Sequence, residues 1–186
     1  MMKNSTRKAR IQPRPEPWPS AIAETLSSYP QGKDGLIRLF RTLAHSHRTL
    51  ARMGHGMVLD KDSPLSIKQR EILILKVSAL CQCPYEWGIH VKVFTPFSGL
   101  NEAQIANTCV PEIDRTLWSE AESLLLTLAD EIHRTNTVND QTWVKMREHW
   151  DTEQIMEIIF ICGFYHTIAY FNNVLQIEQE DGAPTF

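Results

Sequence analysis

The sequence predicts an all-α fold, a helical bundle built as a single domain. Three observations carry this reading. Apolar residues recur every three or four positions over most of the chain, capping side chains stand ahead of those runs, and no stretch sustains the period-two alternation of a strand. At 186 residues, with 42% hydrophobic and 22% charged side chains, the chain can bury one substantial core and is short for two.

Residues 1–20 begin with Lys3, Arg7, Lys8 and Arg10, then alternate proline with other residues from Pro13 to Pro19, a composition that favours extended polyproline geometry. This segment is expected to be a flexible arm. Trp18, costly to leave in water, is its candidate for docking on a neighbouring subunit. Residues 21–186 form the domain.

A helix is expected from Asp34, with Leu36, Leu39, Phe40, Leu43, His47 and Leu50 on one face. Ser66 with Gln69 makes a capping box after Pro64, and the helix it opens runs to about Leu80. Its middle, Ile72 to Val77, is apolar nearly all round, so it should be buried. Pro84 suits the first turn of a helix carrying Tyr85 to about Phe94, because its missing N–H has no intrahelical partner there. Pro96 and Gly99 break the chain, and Asn101 with Gln104 caps a short helix ending before Pro111. Leu117, Leu124, Leu125, Leu128 and Ile132 mark a longer amphipathic helix. Asn139 or Asp140 opens the next. Asp151 with Gln154 opens the last, apolar through Ile155, Ile158, Ile159, Ile161, Phe164, Ile168 and Phe171 and expected to be central. The sum is about seven helices of ordinary length.

Composition excludes several functions. A net charge of −3, mixed along the chain, gives no footprint for a phosphate backbone, so no nucleic-acid partner is expected. No uninterrupted apolar run reaches the ~20 residues that span a bilayer, and the polar N-terminus has no apolar signal segment, so a cytoplasmic location is expected. In that reducing compartment Cys81, Cys83, Cys109 and Cys162 are packing, catalytic or redox thiols rather than a disulfide framework.

Reactive side chains concentrate in Arg70-Glu71 and in Cys81-Gln82-Cys83-Pro84-Tyr85-Glu86-Trp87-Gly88-Ile89-His90. With Pro84 in the first turn, Cys83 lies at a helix N-terminus, where the dipole favours a thiolate. Cys83, Glu86 and His90 follow at spacings of three and four on one stripe and could relay protons, with Glu71 supplied by the preceding helix. The same residues also read as a small core cysteine, a satisfied buried histidine and an ordinary i,i+4 pair. Tyr85 and Trp87 suit core or interface positions as well as a substrate platform. Cys81 and His166, with Tyr165 and Asn172, are secondary candidates, and His45, His47 and His55 fit a pocket wall or a subunit interface.

The run Arg70-Glu71 followed by four apolar residues, then Tyr85-Glu86-Trp87-x-x-His90, then Gly99-Leu100-Asn101-Glu102-Ala103-Gln104-Ile105, resembles the carboxymuconolactone decarboxylase-like, or alkylhydroperoxidase-like, family. The motif core covers about residues 64–107, and the Phe164 to Asn173 helix resembles the family's remainder. The resemblance implies a helical hairpin fold, homo-oligomers from dimers and trimers to hexamers, and members that are lyases or thiol peroxidases. In the peroxidase branch a glutamate, a Cys-x-x-Cys and a histidine four residues later form the relay. Counted back from His90, Cys83 holds the first cysteine position and Glu71 the glutamate, but Glu86 stands at the second.

A carboxylate cannot resolve a sulfenic acid, and Cys81, two residues from Cys83, could pair with it only through a strained connection. The expected activity is therefore peroxide reduction by Cys83 with a thiol reductant, and the alternatives are acid/base lyase chemistry by Glu71, Glu86 and His90 on a small organic acid, or a non-catalytic oligomer. A carboxylate substrate would look to Arg70 or Arg52. Glu71, Cys81, Cys83, Glu86 and His90 match no standard zinc spacing, so neither metal nor cofactor is expected.

Overall fold

The computed structural model describes residues 8–29, 35–53 and 61–186. Those residues hold ten α-helices, one 3₁₀ turn and no strand. The helices are α1 (Ser20–Ser27), α2 (Arg38–Leu43), α3 (His47–Met53), α4 (Ile67–Leu80), α5 (Pro84–Val93), α6 (Thr95–Ser98), α7 (Glu102–Asn107), α8 (Glu120–Thr135), α9 (Asp140–His149) and α10 (Thr152–Leu175).

Helix α4 is the axis on which the others pack. It meets α5, α8 and α10, and every residue from Arg70 to Ala79 is buried. Its all-round apolar sequence is the cause, since a helix with no polar face has to be covered on every side. The last helix, expected at the centre, takes a more peripheral place. It buries Ile155, Ile158, Ile161, Tyr165, Ile168 and Asn172, yet leaves Met156, Ile159, Phe160, Tyr170 and Val174 in solvent. At 24 residues α10 is long and apolar enough to cross a membrane by length and composition, but its buried stripe here belongs to the domain core.

Helix starts follow the caps in the sequence. Both reciprocal hydrogen bonds of the capping box form at Ser66–Gln69, Asn101–Gln104 and Asp151–Gln154, and also at Ser119–Glu122. Each is worth about 1 kcal/mol to its helix. Asn139 caps α9, accepting from the Thr142 N–H.

The count differs from seven because short helices escape a periodicity argument. The helix expected from Asp34, itself outside the described residues, is two helices. The chain turns at Ala44–His45, and Ser46 restarts it by accepting from the Thr49 N–H at 3.2 Å. Helix α1 has no capping side chain, and α6 is only four residues long with Pro96 in its first turn.

The described part of the proline-rich arm, residues 8–19, is docked on its own chain. The Arg10 N–H donates to the Leu175 carbonyl at 2.8 Å, and the Arg14 N–H and guanidinium donate to Arg41 and Ala44. Trp18 packs on the core beside them.

Between α4 and α5 the chain reverses in three residues. Gln82 takes a left-handed conformation with φ 51°, rare for a residue with a Cβ, so Cys81 and Cys83 leave the turn in different directions. Beyond α10, residues 177–186 run back over α5. Tyr85 donates to Glu180 at 2.7 Å, Lys92 donates to the Asp181 carbonyl at 2.6 Å, and the Trp87 and Phe186 rings meet edge to face.

Gly88 permits this approach, because a Cβ there would collide with the Pro184 carbonyl and the Gln179 amide. Gly88→Ala is expected to lower stability by about 1–3 kcal/mol despite alanine's better helix propensity. The accompanying sign is faster proteolysis within residues 177–186, and a variant that melts at or above the wild-type temperature would refute the close packing.

Candidate functional site

The structure brings Glu71, Cys83, Glu86 and His90 together in the interior, each at most 6% exposed. Glu71 enters from the first turns of α4 and the other three from the start and middle of α5. His90 is the hub. Its Nδ1 lies 2.9 and 3.1 Å from the two Glu71 carboxylate oxygens, and its Nε2 lies 3.4 Å from Glu86 Oε1 and 3.2 Å from the Tyr165 hydroxyl. Phe94 stacks on the ring, with centroids 4.8 Å apart.

Burial pushes the His90 pKa down, but the Glu71 and Glu86 carboxylates beside it push harder the other way, raising it to about 9. At neutral pH the ring is an imidazolium. It donates through Nδ1 to Glu71 and through Nε2 towards Glu86 and the Tyr165 oxygen. Burial, and then the charges of Glu86 and Glu71, hold the Tyr165 phenol well above its ordinary pKa, so it stays protonated.

Cys83 stands at the N-cap position of α5, without a side-chain capping bond, and Pro84 follows in the first turn, the arrangement expected from the sequence. The expected thiolate does not follow. Burial and the Glu86 charge push the Cys83 thiol up to about 12, overriding hydrogen bonds from the Glu86 N–H and the Asn172 side chain that favour the anion. The half-charge at a helix N-terminus is weaker than desolvation plus a full carboxylate charge nearby. Asn172 holds that carboxylate, donating to Glu86 Oε2 at 3.0 Å.

The secondary candidates separate. Tyr165 and Asn172 join the site from α10. Tyr85 accepts from the Leu39 N–H at 3.1 Å and donates to Glu180, tying α2 and the C-terminal tail to α5. Trp87 donates to Thr108 at 3.0 Å within a small satellite core. Cys81 and His166 turn to another cluster, joined by His133, a residue no local pattern had marked. Its Nδ1 is 4.0 Å from Cys81 Sγ and 2.9 Å from His166 Nε2. His45 and His47 are exposed and meet the Gln12 carbonyl and the Thr25 hydroxyl, away from this site, and His55 lies outside the described residues.

The site is a buried histidine held between two carboxylates beside a buried thiol, on a two-helix hairpin. Residues 45–130 match the Carboxymuconolactone decarboxylase family, in agreement with the resemblance read from the motifs. The fold as a whole is similar to solved structures. An uncharacterized peroxidase-related protein from Silicibacter sp. TM1040 superposes with a TM-score of 0.79 at 13% identity, over 98% of this chain and 97% of that one. An alkylhydroperoxidase AhpD core protein, an uncharacterized peroxidase-related protein from Ralstonia eutropha JMP134, gives 0.71 at 20% identity over 92% and 93%. A protein of unknown function from Agrobacterium tumefaciens, a candidate AhpD antioxidant defence protein, gives 0.61 at 21% over 68% and 85%. No curated protein matches the chain.

The raised pKa links His90 to stability. Between the ordinary value of 6.5 and about 9 the folded state binds a proton that the unfolded chain has lost. The contribution, roughly 3 kcal/mol, is therefore full below pH 6.5 and disappears as pH rises through 9. Thermal midpoints of the wild type should fall by roughly 5–10 °C across this window. His90→Gln should melt lower throughout with a flatter profile, and parallel profiles for the two proteins would show that His90 is not the titrating group.

Proposed function

We propose that this chain is a peroxide-reducing enzyme of the one-cysteine kind, with Cys83 as the attacking thiol and an external thiol as reductant. The observation that carries the reading is the placement of the Cys83 sulfur between hydrogen-bond donors, the Glu86 N–H and the Asn172 amide, and next to the Glu86–His90–Glu71 relay.

With a pKa near 12 the thiol has to be deprotonated at the moment of attack rather than beforehand. Glu86 is the base in reach, and its other neighbour is an imidazolium that offsets its charge. The Cys83 S–H proton passes to Glu86. The sulfur attacks one peroxide oxygen, an S–O bond forms as the O–O bond breaks, and the departing oxygen takes the proton from Glu86 and leaves as an alcohol or water. The two electrons come from sulfur. One thiol then condenses with the sulfenic acid to a mixed disulfide and water, and a second restores Cys83 and leaves as a disulfide. A reductant from outside is needed because Glu86 fills the position of a resolving cysteine.

One observation favours a second reading. An imidazolium fixed between two carboxylates is a general acid held protonated to about pH 9, and the Arg70 charge acts on Tyr165 beside it. These groups suit proton transfer on a small organic acid with Cys83 as bystander.

We further propose that the chain works as a homo-oligomer through the exposed stripe of α10. Met156, Phe160, Tyr170 and Val174 stand 57–64% exposed on one side of that helix. Contiguous apolar surface of this kind is characteristic of subunit contacts. Phe160→Asp is expected to reduce the mass measured by light scattering, and an unchanged mass would move the interface elsewhere.

Peroxide consumption with a small thiol reductant tests the chemistry. Wild type turns over, Cys83→Ser does not, and Cys81→Ser retains activity. Glu86→Gln separates base from bystander. It loses roughly 10²-fold in turnover as a base is removed, while its Cys83 is alkylated faster than wild type because the charge that raised the thiol pKa is gone. Absence of thiol-dependent turnover in wild type would sink the peroxidase reading and bring the acid/base reading forward.

A further inference from the structure

Three helices that carry no common sequence motif bring a thiol and two imidazoles to one point. Cys81 closes α4, His133 lies in the last turn of α8 and His166 in the middle of α10, and one ligand-competent atom of each lies within 4.8 Å of the other two. We propose that Cys81, His133 and His166 form a three-ligand site for a zinc-class divalent cation, separate from the Glu71–His90–Glu86 relay.

The ligand atoms already converge. Cys81 Sγ is 4.0 Å and His166 Nε2 2.9 Å from His133 Nδ1. Zinc bonds of about 2.3 Å to sulfur and 2.0–2.1 Å to nitrogen set tetrahedral ligand atoms roughly 3.3–3.7 Å apart. The two imidazoles therefore separate by roughly 0.4 Å, and the sulfur closes by a similar amount.

The outer contacts also suit a metal site. His166 donates its Nδ1–H to the Cys162 carbonyl at 2.7 Å, which fixes the tautomer and leaves the Nε2 lone pair pointing into the cluster. Asn173 holds the Cys81 carbonyl at 2.8 Å, anchoring the thiol to α10. All three side chains are half-buried, open enough for an ion to enter and for water to hold a fourth position.

Donor type selects the ion. One thiolate and two imidazoles suit zinc, cobalt or nickel, whereas magnesium and calcium require oxygen donors. On binding, the Cys81 thiol releases one proton as the metal–sulfur bond forms. His133 moves its proton from Nδ1, where it faces His166, to Nε2. One proton is released per ion, and affinity rises with pH. Burial alone raises the Cys81 thiol to about 11, and a bound cation reverses that.

The test is a Co²⁺ titration of the full-length reduced protein, with Zn²⁺ as competitor. The expected result is one equivalent of four-coordinate cobalt with a thiolate charge-transfer band, displaced by Zn²⁺. Cys81→Ser loses the charge-transfer band, His166→Gln and His133→Gln each bind at least tenfold more weakly, and Cys83→Ser keeps both band and stoichiometry. As a check on folding, Zn²⁺ raises the melting temperature of wild type and Cys83→Ser but not of Cys81→Ser. No stoichiometric cobalt spectrum in wild type, or a charge-transfer band that survives Cys81→Ser and disappears with Cys83→Ser, overturns the proposal.

Discussion

Two carboxylates share one buried imidazolium at the centre of this protein, and the arrangement of the hairpin around it depends on that contact. Glu71 and Glu86 are 1% and 6% exposed and His90 is 2% exposed, so none of these charges has water to stabilise it. They are tolerable only together, because a buried charge left without its partner costs several kcal/mol. The pairing fixes the register of α4 against α5. It also requires α10 to arrive with Tyr165 and Asn172 in place, since the second ring nitrogen and the outer Glu86 oxygen need partners as well.

The same electrostatics govern the thiol. A cysteine at a helix N-terminus would ordinarily ionise more readily. Here burial, and then the Glu86 carboxylate that Asn172 holds close, reverse the expectation and keep Cys83 protonated. In the proposed peroxide reduction, reactivity rests on proton transfer to Glu86 rather than on a standing thiolate, which makes Glu86 as important to that chemistry as the sulfur.

Gln82 gives the hairpin its second consequence. The left-handed residue between the cysteines sends one thiol inward to Glu86 and Asn172 and the other outward to His133. Helix α10 serves both clusters from adjacent positions. Tyr165 faces the relay and His166, about 100° further round the helix, faces Cys81. Two chemically distinct sites thus share a turn and a helix without sharing a residue.

Much of this was legible in the sequence. Capping boxes at Ser66, Asn101 and Asp151 placed three helix starts, the all-round apolar run after Glu71 announced a buried helix, and the three-four spacing of Cys83, Glu86 and His90 announced a shared stripe. These are local properties, set by hydrogen bonds and side-chain directions within a turn or two. What lay beyond reach depended on contacts between residues distant in the chain. Glu71 reaches His90 across two helices, burial determines which thiol ionises, the arm from Lys8 finds the end of α10, and His133 acquires neighbours 33 and 52 residues away. The sequence alone determined the starts of the capped helices and the stripe of reactive side chains, because capping and helical spacing are local. Only the tertiary structure decided the protonation of Cys83 and His90 and the meeting of Cys81 with two histidines, because desolvation and charge proximity exist only once the helices are packed.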